Sequence, residues 1–357
     1  MRPLRALLLA GLAGAALLAG WLLYERAALL SFAATPFGSA EEKLVDVPAG
    51  SSAHAVVRIL ARSGVLSDER IAWRYVRWLK RDKRALRAGE YAFAGPLTPD
   101  QVLERVYRGE VKTYKFTVPE GLRMDEIAAI VEDAGLGKAR DLLATMRDPA
   151  VARELGVPFP NLEGYLFPDT YAFTRNPKPR AVVDAMVARF RAALREAEAQ
   201  RLPGVRLSEK EAVTLASIVE KETGRPEERP HISCVFHNRL RRGMRLQTDP
   251  TVMYATMLRR GGRWSQNITR ADLLAAHPYN TYTSDGLPPG PIASPGEAAL
   301  VAALHPSACD DLYFVSRNDG THVFCPDLAC HNAAVRKWQV EFFRRRAAHR
   351  PAGGGAE

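Results

Sequence analysis

Cysteine is scarce in this 357-residue sequence: Cys234, Cys309, Cys325 and Cys330 are the only four, and no two are spaced as Cys-x-x-Cys. That excludes a densely cross-linked small scaffold and a thioredoxin-type redox pair. Cys325 and Cys330, with His322 and His331 close in sequence, could be drawn as a zinc site. A disulfide in an oxidising compartment, or buried free thiols, explains them more simply, so no metal is expected. Compositional bias is lacking too. Hydrophobic residues make up 47% and charged residues 25%, the mix of a chain that folds over most of its length. The length is enough for a sizeable core and two domains.

Charge is absent from Ala6 to Tyr24, "ALLLAGLAGAALLAGWLLY", 19 residues. As a helix this run spans a bilayer core of about 30 Å. Arg2 and Arg5 precede it, while Glu25 and Arg26 cancel on the far side. The positive-inside rule therefore leaves residues 1–5 in the cytoplasm and exports everything that follows. The apolar region of a cleaved signal peptide is shorter, about 7–15 residues, although "SFAAT" (31–35) offers small residues for a cut. We expect an uncleaved single-pass anchor. The chain is basic, with 50 Lys+Arg against 40 Asp+Glu, and basic proteins meet anionic partners. Export sets nucleic acid aside and leaves anionic lipid or an anionic cell-wall polymer.

After a linker (25–43) comes a repeat. Val47–Leu66 and Val118–Leu136 align at an offset of 71: Pro48 with Pro119, Gly50 with Gly121, Val56 with Ile127, Ile59 with Ile130 and Gly64 with Gly135. Each copy reads as a β-like stretch, a Pro-x-Gly turn, an amphipathic helix stopped by glycine, a second helix (68–80; 139–147) and an aromatic strand. That order predicts a LysM-like βααβ subdomain over 44–115 and a second copy over 116–206. From Leu207 to residue 345 the texture becomes helix-rich. Helices are expected over about 208–222, 229–241 and 332–346, and another opens at Asp249 as N-cap with Pro250 at N1. "SPGE" (294–297) reads as a capping box opening a helix to about Leu304. "DLYFVSRNDGTHVFC" reads as a β-hairpin. The Gly-rich end, 346–357, is expected to be disordered. The fold class is α+β, with a single transmembrane helix, LysM-like subdomains and a helix-rich catalytic region (116–345).

Chemistry points to "ASIVEKET" (216–223). At 100° per residue, Glu220 and Glu222 both fall inside the apolar arc of the helix, about 160° apart, with Thr214 and Ser217 on the opposite, solvated side. They cannot act as a dyad. A carboxyl among apolar neighbours is held protonated toward neutral pH, which suits a general acid. Ala216 leaves room beside Glu220, which is preferred on that ground; a salt bridge to an arginine is the structural alternative. "QTDPTVMY" brings Gln247, Thr248 and Asp249 to a helix N-terminus, with Tyr254 behind them. "HPYNTYTSDGLPPGPIASPG" is about 20 residues without periodicity, and loops of that length are often functional. Its Asn280 between Tyr279 and Tyr282 suits a sugar.

"LEGYLFPDTY", "ASIVEKET", "NRLRRGMRLQTDPTVMY" and "YNTYTSDGLPPGPI" together resemble the membrane-anchored endolytic murein transglycosylases, the MltG or YceG-like family, over about residues 45–342. The resemblance implies a lyase that cleaves the MurNAc-β-1,4-GlcNAc bond within nascent peptidoglycan strands. It leaves 1,6-anhydro-MurNAc ends and terminates strand elongation, without metal or cofactor. It implies Glu220 as the acid/base and a groove lined by Gln247, Thr248, Asp249, Tyr254, Asn280 and Tyr282, bordered by Glu163, Tyr165 and Asp169. It also implies a bacterial inner-membrane protein working in the periplasm beside peptidoglycan synthases (penicillin-binding proteins). A lysozyme-type muramidase using Glu220 with Asp249, and a non-catalytic peptidoglycan-binding tether, are the alternatives.

Overall fold

The computed structural model describes residues 2–344 apart from Lys83, Gln266 and Phe343, with backbone alone for 2–6. The tail 346–357 lies outside the described residues. The chain divides into two compact units, one comprising the residues up to Tyr114 together with Ala172–Arg175, the other Lys115–Tyr171 and the chain from Asn176 onward. The class is α+β: helices predominate, and the described strands form three two-stranded sheets.

In the first unit α1 (Arg2–Ala34) is the one described helix long and apolar enough to cross a membrane. It runs on past Tyr24, so residues 25–34, expected as linker, are helical. Leu29 and Ala33 are buried, and this packing extends the helix beyond its apolar run. Then come β1 (Lys43–Val47), α2 (Ala53–Arg62), α3 (Glu69–Arg74) with a π-helical continuation (Tyr75–Lys80), β2 (Gly89–Phe93) and α4 (Pro99–Arg108). β1 and β2 pair antiparallel, Val45 opposite Tyr91. Ser52 caps α2 through the Ala55 N–H, and Asp68 caps α3 through that of Ile71. Val56, Leu60, Tyr91, Leu103 and Val106 fill the core between them.

The second unit begins at Lys115, within β3 (Tyr114–Thr117), and continues through α5 (Met124–Asp133), α6 (Ala139–Met146), α7 (Pro149–Glu154) and the first two residues of β4 (Thr170–Phe173), which pairs with β3. α8 (Pro179–Glu198), α9 (Glu209–Glu222), α10 (Arg229–Arg241), α11 (Asp249–Arg259) and the short α12 (Arg270–Leu274) come next. A long irregular segment leads to α13 (Glu297–Leu304), the hairpin β5 (Tyr313–Ser316)–β6 (His322–Cys325) and α14 (Leu328–Val335), which starts four residues earlier than expected. Asp327 sets that start by accepting the Cys330 N–H.

α9 is the central helix. Ser208 and Glu211 close a capping box at its N-terminus. Every residue from Ala212 to Glu220 is buried, so the solvated face expected at Thr214 and Ser217 does not exist. Ser217 is accommodated because its hydroxyl donates to the Thr214 carbonyl and accepts the Ile292 N–H. The irregular segment 277–296 is an inner layer in part: Asn280, Thr281, Ile292, Ala293 and Ser294 are buried, while Pro278, Asp285 and Pro289 are exposed. The capping box expected at Ser294 does not form. Gly296 is the N-cap of α13, and its N–H goes elsewhere.

All four cysteines are paired, Cys234 with Cys309 and Cys325 with Cys330. Their sulfurs are therefore closed to zinc.

Candidate functional site

The two glutamates at the end of α9 meet different fates. Glu220 is closed in, its side chain 5% exposed. One carboxylate oxygen accepts from the Arg229 guanidinium at 2.7 Å and the other from the Gly296 N–H at 3.0 Å. Arg229, equally buried, also reaches Glu120 at 3.0 Å. Backbone closes in on the side chain: a Cβ at Gly121 would touch Glu220 Cγ at 3.5 Å. Burial pushes the Glu220 carboxyl above the usual range, against the pull of Arg229 and the Gly296 amide. Its oxygens are spoken for. Both the desolvated acid and the arginine ion pair foreseen in the sequence are present, and the pair makes this carboxyl a linker of α9, α10 and α13.

Glu222 opens into a cavity of about 380 Å³ lined also by Arg239, Gln247, Asp249, Tyr282, Tyr313 and His331. It is the last residue of α9, followed by Thr223 in extended backbone, and there the helix end leaves the core. Burial raises its pKa to about 7. The Thr248 hydroxyl opposes this, the Asp249 charge adds to it, and Arg239 offsets part. Leu246, Phe314 and Leu328 complete the lining. A carboxyl half protonated at neutral pH, facing polar groups on one wall and aromatic rings on the other, can give and retake a proton beside a sugar.

The N-terminus of α11 supplies the polar wall. Thr248 is its N-cap and Asp249 its first residue, which shifts the expected cap by one. Asp249 is thereby free to accept the Tyr282 hydroxyl at 2.7 Å. Gln247 takes a left-handed backbone, φ 50°, a conformation uncommon for a non-glycine residue and often kept at functional sites. The Gln247 N–H donates to the Thr281 carbonyl, and the Thr248 N–H to the Thr281 hydroxyl. The Thr251 and Thr281 hydroxyls meet at 2.8 Å. These bonds lock the polar wall to the irregular segment. On the far wall Arg239 donates to the carbonyls of Leu312, Arg245 and Leu246 and lies 5.0 Å over the Tyr313 ring.

Gln247, Asp249 and Tyr282 therefore gather as expected, around Glu222 rather than Glu220, with Thr248 behind them. The other expected groove residues lie elsewhere. Asn280 is buried, and its amide donates to the carbonyls of Asp272, Leu273 and Ala275 while its oxygen accepts the Tyr282 N–H; it staples the loop that carries Tyr282. Tyr254 donates to Glu163 at 3.3 Å, away from the cavity lining. Tyr165 is core, its hydroxyl on Glu209. Asp169 pairs with Arg189 at 2.8 Å and caps the Thr170 N–H. The "LEGYLFPDTY" stretch is a support, made of residue types that serve packing as readily as binding. Arg239, Tyr313, Phe314, Leu328 and His331 were not foreseen, because only the tertiary fold brings this part of α10, the hairpin and α14 to the end of α9.

Glu163 is a buried carboxyl among the displaced candidates. It accepts the Met124 N–H at the start of α5, and burial raises its pKa to about 8. A carboxyl whose pKa rises on folding adds stability that is fully present below about 4.5, the unfolded value, and lost as pH climbs through about 8. Thermal melting of the wild type is expected to fall between pH 5 and 9, and Glu163→Gln to flatten that decline. An unchanged slope would place the charge-sensitive group elsewhere.

The YceG-like family model matches residues 45–337. An endolytic murein transglycosylase of Bacillus subtilis (strain 168) is 32% identical over 310 residues, 82% of this chain and 84% of that protein. One from Streptococcus pneumoniae serotype 2 is 29% identical over 304 residues, 76% of this chain and 54% of that protein, so this chain spans about half of its length. The crystal structure of a yceG-like protein from Listeria monocytogenes aligns with a TM-score of 0.56 at 33% identity, over 83% of this chain and 99% of that one. Family match and similarity both extend over most of the sequence: the chain belongs to the YceG-like family.

Proposed function

We propose that the chain is an endolytic peptidoglycan transglycosylase, a lyase in which Glu222 is the single acid/base. The observation that carries the reading is that Glu222 alone of the two motif glutamates opens into the cavity bearing Gln247, Asp249 and Tyr282. The names of the relatives support the same reaction class. Protonated Glu222 donates to the oxygen bridging MurNAc and GlcNAc as the C1–O bond breaks. The resulting carboxylate takes the proton of the MurNAc 6-hydroxyl as that oxygen bonds to C1. Glu222 ends as it began, and no water is consumed. The nucleophile belongs to the substrate, so proximity replaces the second carboxyl that an ordinary glycosidase uses. Asp249, committed to the Tyr282 hydroxyl, holds the aromatic wall.

The anchor reading of α1 has the support of its length and composition, and two disulfides suit an oxidising compartment. We place the catalytic unit in the periplasm at the inner membrane, where synthases extrude new strands. Residues 44–115 are taken as a LysM-like glycan-binding subdomain, on their strand–helix–helix–strand order.

Digestion of purified peptidoglycan, with the new ends read by mass spectrometry, is the test. Anhydro-muramyl ends are expected. Reducing ends would make the protein a muramidase using Glu222 with Asp249, and glycan binding without cleavage would make it a tether. The acid step needs protonated Glu222, whose pKa is about 7. The rate at low substrate is therefore expected to be level below pH 7 and to fall about tenfold per unit above it.

A further inference from the structure

We propose that the helix formed by α3 and its π-helical continuation docks on anionic lipid headgroups at the membrane surface, through Arg70, Arg77, Arg81 and Trp78. The inference rests on the anchor reading of α1 and extends it to the first unit. Arg70, Arg74, Arg77 and Arg81 follow one another at intervals of four, three and four residues, which puts them on one helical face. The opposite side, Ala72, Tyr75 and Val76, is buried in the core. On the basic face Arg70, Arg77 and Arg81 are exposed, and they make no ion pair among the described residues. The neighbouring cations are already neutralised: Lys80 pairs with Asp100 and Glu104, and Arg84 with Asp82 and Glu104.

Arg74 fixes where this face lies. It pairs with Glu25 at 3.0 Å, and Glu25 is the first charged residue after the apolar run of α1. Four residues on, Leu29 is buried in the core of the unit. The basic face therefore sits at the level where α1 leaves the hydrocarbon, where lipid phosphates would be. Trp78, adjacent to Arg74 on the helix surface, is 45% exposed; an exposed indole beside cations suits the headgroup layer. Arg81 ends the helix in left-handed backbone, φ 39°, an unfavourable conformation for a long side chain. Each arginine near an anionic surface is worth about a fivefold gain in association, and three together on the order of a hundredfold, weakened by salt.

The full chain is reconstituted in nanodiscs whose acyl chains are brominated, of phosphatidylglycerol or of phosphatidylcholine. Quenching of Trp78 emission is read as the difference between the wild type and Trp78→Phe. Quenching several-fold stronger in phosphatidylglycerol, reduced by 0.5 M salt and lost in Arg70→Glu/Arg77→Glu/Arg81→Glu, is expected. Peptidoglycan cleavage by the triple variant shows that it is folded. Equal quenching in both lipids, or none in either while Trp21 is quenched, would overturn the proposal. A chain that does not stay with the discs and leaves Trp21 unquenched would instead overturn the anchor reading.

Discussion

Glu222→Gln is expected to lower turnover on purified peptidoglycan by roughly 10²–10⁴-fold, the range that a positioned general acid contributes, with melting temperature little changed. Glutamine keeps the size of the side chain but has no proton to give. Glu220→Gln is expected to do the reverse. Its carboxyl faces Arg229 with both partners about 5% exposed, and removing one charge from a buried pair costs roughly 3–5 kcal/mol. The cost should fall at the lower end of that range, because Glu120 still reaches Arg229 and an amide oxygen can still accept the Gly296 N–H. Anhydro ends should continue to appear at temperatures where the variant is folded. Mass spectrometry of the ends and thermal melting, run on both variants, separate the two roles. An inactive Glu220→Gln of normal stability beside an active Glu222→Gln would return the acid/base to Glu220.

The second large effect is structural. Gly164→Ala is expected to destabilise the protein by roughly 3 kcal/mol, from a left-handed backbone and overpacking together. Gly164 has φ 81°, and a Cβ there would come within 2.4 Å of Pro291 Cβ and 2.6 Å of its Cγ. A proline ring cannot swing aside as a long side chain can. Pro291 lies in the irregular segment that also carries Asn280 and Tyr282, so the damage should extend to the cavity. Urea unfolding measures the loss. A near-neutral result would mean that segment 277–296 is easily displaced, and its role as a rigid backing for Tyr282 would fall.

The different roles of Glu220 and Glu222 show what a helical wheel can and cannot see. The wheel of α9 correctly separated Glu220 and Glu222 by about 160° and put both among apolar residues. It could not say which of the two surroundings held space. Ala216 looked like room beside Glu220, yet Gly121 and Gly296 bring backbone against that side chain from more than 70 residues away in each direction. Leu215 and Ile218 looked like a wall beside Glu222, yet α9 stops there and the wall ends with it. Thr214 and Ser217 misled for a related reason. Both promised solvent but are buried, and the Ser217 hydroxyl is paired inside the core, a choice that depends on the distant Ile292 N–H.

The sequence by itself determined many of the elements and the residue types available for the chemistry. Apolar periodicity set α9 and α10, and the alternation about Asn-Asp-Gly set the hairpin. A 19-residue run without charge set α1, and the motif residue types set a carboxyl, an amide and aromatic rings for a sugar. These are local properties, written in spacing and side-chain type. Only the tertiary structure decided which carboxyl faces a cavity, that Asn280, Tyr165 and Asp169 serve as supports, and that Arg239, Tyr313 and His331 form the far wall. Those outcomes depend on which distant segments exclude water from which side chain. Burial and hydrogen-bond partnership of that kind arise only when the chain has packed.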